Sequence, residues 1–283
     1  MAAISASDVK KLRDLTGAGM MDCKKALTQA DGDFAQAEKI LKEMGLAAVA
    51  KRQDRATENG RVFVMTDDKN AVLLSLSCET DFVASNEEFK ALGENMCKTI
   101  LEKGYSEPNE ELKGMVDALI ATIKENMNIT KMHTESVDTY AATYIHGNGA
   151  VAVLINMHAD NKDVFANADV QEVAHDLALH AAAYKPQYLD EKNVDKAYEE
   201  EQLSIFTAQV DQDPKMANKP EQVKANIIKG KLSKLYKEIC FNEQAFVKDD
   251  SKSVKQVLSE LSKKYGCDIT ISSYVVYQAG VNA

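Results

Sequence analysis

The side chains best suited to chemistry crowd into four consecutive positions, Cys78, Glu79, Thr80 and Asp81, with Phe82 and Val83 directly after. A thiol beside carboxylates suggests a nucleophile, but no histidine nearby supplies a base and no oxyanion site is evident, so hydrolysis through Cys78 is the weaker reading. Gly93-Glu94-Asn95-Met96-Cys97-Lys98-Thr99 echoes a phosphate-binding loop. It lacks the glycine before the lysine and falls inside an amphipathic helical pattern, which rules it out. Gly147-Asn148-Gly149 has no third glycine at dinucleotide spacing. His175 and His180 are five residues apart and so on different faces of a helix. Neither Cys-x-x-Cys nor His-Glu-x-x-His occurs, and no zinc-ligand spacing is present. What remains is recognition. In the pair Asp81–Phe82 the ring offers area to bury in a partner and the carboxylate gives direction. Such aromatic anchors dominate interfaces at roughly 2 kcal/mol or more each. The competing reading has Phe82 closing the core beneath a turn, where phenylalanine is common.

The elements around this pair favour presentation. The apolar run Ala71-Val72-Leu73-Leu74 reads as a strand and Ser85-Asn86-Glu87-Glu88-Phe89 as a helix start, which places Asp81 and Phe82 on a strand-to-helix turn. The strand pairs with Arg61–Met65 across a turn at Asp67-Asp68, and the helix carries Phe89, Leu92, Met96 and Ile100 on one face. The same strand-strand-helix order recurs: Tyr140–Ile145, a turn at Gly147-Asn148-Gly149 whose residues tolerate positive φ, Ala150–Met157, then a helix over about 170–184. Two related α+β subdomains with antiparallel sheets are expected.

Residues 1–55 read as a three-helix module. Val9, Leu12 and Leu15 follow helical spacing, Gly17-Ala18-Gly19 breaks the helix, Met20–Ala30 forms the next, and Asp33 with Gln36 caps a third bearing Phe34, Ala37, Leu41 and Met44. Met20 and Met21 cannot both face one core, so one is expected to point outward. Residues 51–60 read as an exposed linker. Leu203, Phe206 and Val210 line one later helix and Ile228, Leu232, Leu235 and Ile239 another, bracketed by Pro214 and Pro220; this is an antiparallel helical hairpin. A helix over Val254–Tyr265 and a strand over Ile269–Tyr277 complete the chain. The domains expected are 1–55, 56–139, 140–189 with 242–283, and the hairpin insertion 190–241.

Composition narrows the function. The 283 residues carry a net charge of −10, against a nucleic-acid partner, since phosphate contacts need clustered Lys and Arg. No apolar run reaches the ~18 residues of a membrane span, and the start shows no secretory pattern. Five scattered cysteines fit reduced thiols in a cytoplasmic setting.

Leu12-Arg13-Asp14-Leu15-Thr16-Gly17-Ala18-Gly19-Met20-Met21-Asp22-Cys23-Lys24-Lys25-Ala26-Leu27, taken with Cys78–Val83, closely resembles the bacterial-type elongation factor Ts family. Lys124–Ile129, Tyr144-Ile145-His146-Gly147, His180–Pro186 and Lys234–Val247 extend the resemblance over nearly the whole chain. It implies a ubiquitin-associated-like N-terminal module, a two-part core and a non-enzymatic guanine-nucleotide exchange factor without cofactor or metal. The implied partner is the GTPase elongation factor Tu, GDP-bound or nucleotide-free. The implied action is GDP release by displacing Mg²⁺ and disturbing the phosphate loop, so that GTP can load. By the same resemblance Thr80, Asp81, Phe82 and Val83 enter the GTPase near its Mg²⁺, Met20, Met21 and His180 lie near its surface, and the hairpin allows a dimer of heterodimers. For His180 the residues alone fit a hydrogen-bonded core imidazole equally well. Two departures bear on affinity: Thr130-Lys131 stand where the family often has paired arginines, and the chain ends soon after Tyr277, where many members continue into a further helix. The rival readings are a helical adaptor that binds another protein without exchange, and a Cys78 enzyme.

Overall fold

The structure, a computed structural model, describes residues 4–216 and 219–280, with backbone alone at positions 46 and 48. The chain start, the end at 281–283 and two residues between Pro214 and Pro220 lie outside the described residues, and with them the expectations about a leader pattern and a C-terminal helix. The fold is α+β with small sheets, and it divides into two compact units.

The first unit comprises Met1–Glu135, Ile145–Ala152 and Tyr277–Ala283. It opens with α1 (Ala6–Thr16), α2 (Met20–Gln29) and α3 (Phe34–Ala50). Ser5 and Asp8 form a capping box on α1, and Gly17, at φ 68°, takes the left-handed conformation that ends it. Asp33 accepts the Gln36 N–H at 3.1 Å to start α3. Val9, Leu12, Cys23, Ala26, Leu27, Ala37 and Leu41 form the small core. Leu15 does not join it. It is 70% exposed, although the spacing from Val9 and Leu12 predicts a core position. The helix ends one residue later, at Thr16, and among the described residues none covers that side.

β1 (Asn59–Thr66) and β2 (Asn70–Cys78) form an antiparallel hairpin, and β3 (Met127–Ser136) joins them in the order β1-β2-β3. Between β2 and β3 run α4 (Asp81–Ala84), α5 (Glu87–Lys103) and α6 (Glu110–Ile123). Neither α6 nor β3 is among the elements expected from the sequence. The core joins Phe63, Leu74 and Leu76 of the sheet to Phe89, Met96 and Ile100 of α5 and Leu112, Val116 and Ile120 of α6. Burying each such side chain contributes about 1.5–3 kcal/mol before the opposing entropy. Val49 of α3 is buried in this same core. Gly45 lies so close to α6 that a Cβ there would meet the Ala121 methyl at 3.0 Å. The third helix therefore packs on the sheet-bearing core, and a cut after residue 55 would remove one of that core's own side chains.

The second unit comprises Ser136–Tyr144 and Val153–Val276. β4 (Tyr140–His146), β5 (Val151–Ala159) and, later, β8 (Ile269–Gln278) form a sheet in the order β4-β5-β8. Three of the four residues between β4 and β5, a stretch counted with the first unit, have positive φ: Gly147 58°, Asn148 53° and Gly149 88°. α7 (Ala168–Tyr184) follows β5. The hairpin is α8 (Lys196–Gln212) and α9 (Glu221–Ile239). Tyr236 donates to Glu199 across it, and Lys231 lies over the Phe206 ring. Val210 and Ile239 are buried, but Leu203 is exposed, against its expected place inside the hairpin. A two-stranded ribbon, β6 (Ala245–Phe246) with β7 (Asp249–Ser253), leads into α10 (Val254–Tyr265). Each sheet thus takes two consecutive strands and a third that returns after a helical excursion, which accounts for the repeat seen in the sequence.

Candidate partner-binding site

The turn after β2 is built from its hydrogen bonds. Cys78 ends the strand with its thiol donating to the Thr80 carbonyl at 3.2 Å. Thr80 is the N-cap of α4, and its hydroxyl accepts the Val83 N–H at 3.3 Å. The same hydroxyl donates to Glu125 Oε1 at 2.9 Å, and the Thr80 N–H donates to Glu125 Oε2 at 3.1 Å. A charged acceptor shortens and strengthens such bonds. Asn59 holds the Glu79 carbonyl at 2.9 Å. With the cap in place, the four residues of the motif divide by direction. Val83 points inward and is part of the core. Asp81 and Phe82 point outward, and Phe82 is 83% exposed. They sit in the first turn of a one-turn helix, not in a free loop, and the Asp81 carboxylate stands at the favourable, N-terminal end of its dipole.

An exposed phenylalanine on a fixed turn gains nothing from folding, because its ring stays in water. It is suited to burial in another molecule. Catalysis through the adjacent thiol is not supported. Cys78 is fully buried, and burial together with the nearby Glu125 charge pushes its thiol up to about 12. Among the described residues no group of three or more His, Cys, Asp or Glu side chains could hold a metal ion.

Met20 and Met21 begin α2 after the Gly17-Ala18-Gly19 break, and both face out, at 43% and 74% exposure. Together with Leu15 they put three large apolar side chains on the surface around one interhelical turn. Leu15 has no polar signature and its spacing reads as core, so only the structure reveals it. Met20, Met21 and the Thr80–Val83 turn belong to the first unit.

His180 belongs to the second unit and has no exposed surface. Its Nε2 is 2.9 Å from Gln244 Oε1, and its Nδ1 accepts the Val247 N–H at 3.2 Å, an arrangement that places the proton on Nε2. The ring stacks on Tyr184, Phe241 and Phe246 at centroid distances of 4.6, 5.3 and 6.2 Å. Burial holds its pKa below the ordinary value, so the imidazole is neutral. Any effect of His180 on a partner has to pass through a neighbour such as Tyr184, which is half exposed. Thr130 donates to the Ser75 hydroxyl or accepts from it at 2.8 Å, and the Lys131 ammonium lies 5.5 Å over the Tyr277 ring.

Comparison with known proteins gives this α+β chain its class, that of a translation elongation factor. The family model described as Elongation factor TS matches residues 79–281. Elongation factor Ts of Treponema denticola is 47% identical over 280 residues, covering 98% of this chain and 99% of the relative. Elongation factor Ts of Treponema pallidum strain Nichols is 40% identical over 291 residues, with 98% and 99% coverage. That of Clostridium acetobutylicum is 37% identical over 293 residues, with 98% and 92%. The chain belongs to the elongation factor Ts family.

Proposed function

We propose that this protein binds elongation factor Tu in its GDP-bound and nucleotide-free states and accelerates GDP release, so that GTP can load. The observation that carries the reading is the Phe82 ring, 83% exposed on a capped turn in a chain of the Ts family. A translational GTPase holds GDP through a phosphate loop and a coordinated Mg²⁺. A ring driven between its helices, with Asp81 beside it, disturbs ion and loop without touching the nucleotide. Binding that favours the empty GTPase weakens nucleotide by the same factor, in both directions. Met20 and Met21, with Leu15, offer a second apolar contact from the helical module. The chain supplies position and electrostatics and no bond-making step of its own.

The five free thiols suit a reducing cytoplasm, and no helix among the described residues is long and apolar enough to cross a membrane. The exposed Leu203, Ile205 and Val223 on the hairpin suit association of two such complexes through α8 and α9. Stopped-flow release of labelled GDP from elongation factor Tu tests the central claim. Release should accelerate with this protein's concentration and the GDP affinity should fall as it saturates. Binding with unchanged GDP affinity would instead make the chain an adaptor without exchange.

A further inference from the structure

Two consecutive residues, Lys124 and Glu125, bond to the segments bearing two exposed features of the first unit. α6 ends at Ile123, and Lys124 takes the left-handed conformation at φ 69°. Its Nζ lies 2.9 Å from Asp22 Oδ2, and Asp22 directly follows Met20 and Met21. Glu125 takes the Thr80 N–H and hydroxyl at 3.1 and 2.9 Å, directly before Asp81 and Phe82. Asn126 anchors the segment. It is buried, its N–H donates to Glu79 Oε1 at 2.6 Å, and its side-chain amide donates to the Arg55 carbonyl at 2.7 Å.

The turn needs such an anchor. α4 has four residues, and one turn of helix does not hold itself in water. Burial of Val83 and the Arg61 guanidinium, which donates to the Ala84 carbonyl at 3.3 Å, fix its far end, and Thr80 fixes its start. Thr80 is fixed in turn by a carboxylate reaching from 45 residues further along the chain. We infer that Glu125 is a positioning residue for Phe82. This rests on the reading of Phe82 as the exchange wedge. Loss of the Glu125 carboxylate leaves the ring exposed and Val83 in the core, but widens the range of directions in which the ring is presented. Misplacement of a group by about 1 Å can cost ~100-fold in the step it serves. The loss therefore falls on the maximal exchange rate more than on binding.

The test is a double-mutant cycle on the full chain: Glu125→Ala, Phe82→Ala and the double variant. Labelled-GDP release from elongation factor Tu is followed against variant concentration, with thermal unfolding alongside. Glu125→Ala should lower the maximal rate about 10-fold, within the range misplacement allows, and shift the half-saturating concentration far less. In the Phe82→Ala background it should cost nothing further, since a residue that acts through the ring has nothing left to position. Losses that multiply in the double variant, or a change confined to half-saturation, overturn the positioning role while leaving the wedge intact. A normal rate for Phe82→Ala alone removes the wedge and the positioning role together. Should Glu125→Ala not fold, Glu125→Gln keeps the shape and one acceptor oxygen. It must then show a smaller loss with the same non-additivity, and a multiplicative loss overturns the proposal equally.

Discussion

Gly93 and Phe63 are in direct contact: a Cβ on Gly93 would lie 2.2 Å from the Phe63 ring. The tip of the Phe63 ring, on β1, sits against α5 where the helix has no side chain, and the ring also meets Phe89 at a centroid distance of 6.4 Å. This explains a glycine in mid-helix, where it costs about 1 kcal/mol relative to alanine. It also gives the faint phosphate-loop pattern at this position a packing origin. Gly93→Ala should destabilise the first unit by roughly 1–3 kcal/mol, the usual cost of overpacking, in spite of its better helix propensity. Urea denaturation with an unchanged slope checks it, and a variant as stable as the parent would mean that Phe63 moves aside freely.

Phe82 and Val83, adjacent in sequence, should separate function from stability. Phe82→Ala is expected to slow GDP release at least 10-fold with no fall in thermal midpoint, because its ring makes no core contact worth losing. Val83→Ala should lower stability by about 1 kcal/mol or more through the lost buried methyls. If Phe82→Ala unfolds the protein yet exchanges normally per folded molecule, the ring belongs to the core.

His158 should make stability depend on pH in a defined direction. Its Nδ1 is 3.0 Å from Asp138 Oδ1 and its Nε2 is 3.7 Å from Asp160, while Ser272 donates to the other Asp138 oxygen at 2.6 Å. The bond to Asp138, and after it the Asp138 charge, raise the His158 pKa above its ordinary 6.5. A raised folded pKa stabilises fully below 6.5, and the contribution disappears as pH rises through the folded value. The Asp138 carboxyl is held low, chiefly by its bond to His158, so its own share is present above 3.8 and lost as acid protonates it. His158→Gln should therefore destabilise most between those limits and converge on the parent in alkaline solution. His180 acts in the opposite sense: its folded pKa is lowered, so its contribution is present above 6.5 and falls away as the pH drops below. Denaturation of parent and variant across pH separates the two. A His158→Gln deficit that grows with alkalinity would contradict the assignment.

The thiols should differ sharply in reactivity. Cys23, Cys78, Cys97 and Cys240 are buried, while Cys267 is partly open. Burial pushes the thiols of Cys78, Cys97 and Cys240 up to about 12. A disulfide reagent should titrate about one thiol per folded chain and all five after denaturation. Cys78→Ala should retain exchange; loss of exchange in a folded Cys78→Ala variant would reopen a role for the sulfur.

Much of the local architecture was decided by the sequence alone. Apolar spacing marks α3, α5 and α9, and glycines that adopt positive φ stand at the β4–β5 turn. These features depend on neighbours within a few residues, so periodicity and turn chemistry suffice to read them. Strand β3 was not legible. Asn128, Thr130, Lys131, His133 and Thr134 show no clear apolar alternation, and the segment is a strand because β2 lies beside it. The exposure of Leu15 and the burial of His180 were tertiary decisions as well. A core-spaced leucine is uncovered where its helix stops, and a polar imidazole goes inside because Gln244 and the Val247 amide satisfy both of its nitrogens. The motif Thr80-Asp81-Phe82-Val83 was readable as a candidate contact, but its division into cap, outward pair and inward anchor was not. That division depends on Glu125, which only the fold brings to Thr80, and on a core that takes Val83 and leaves Phe82 in water.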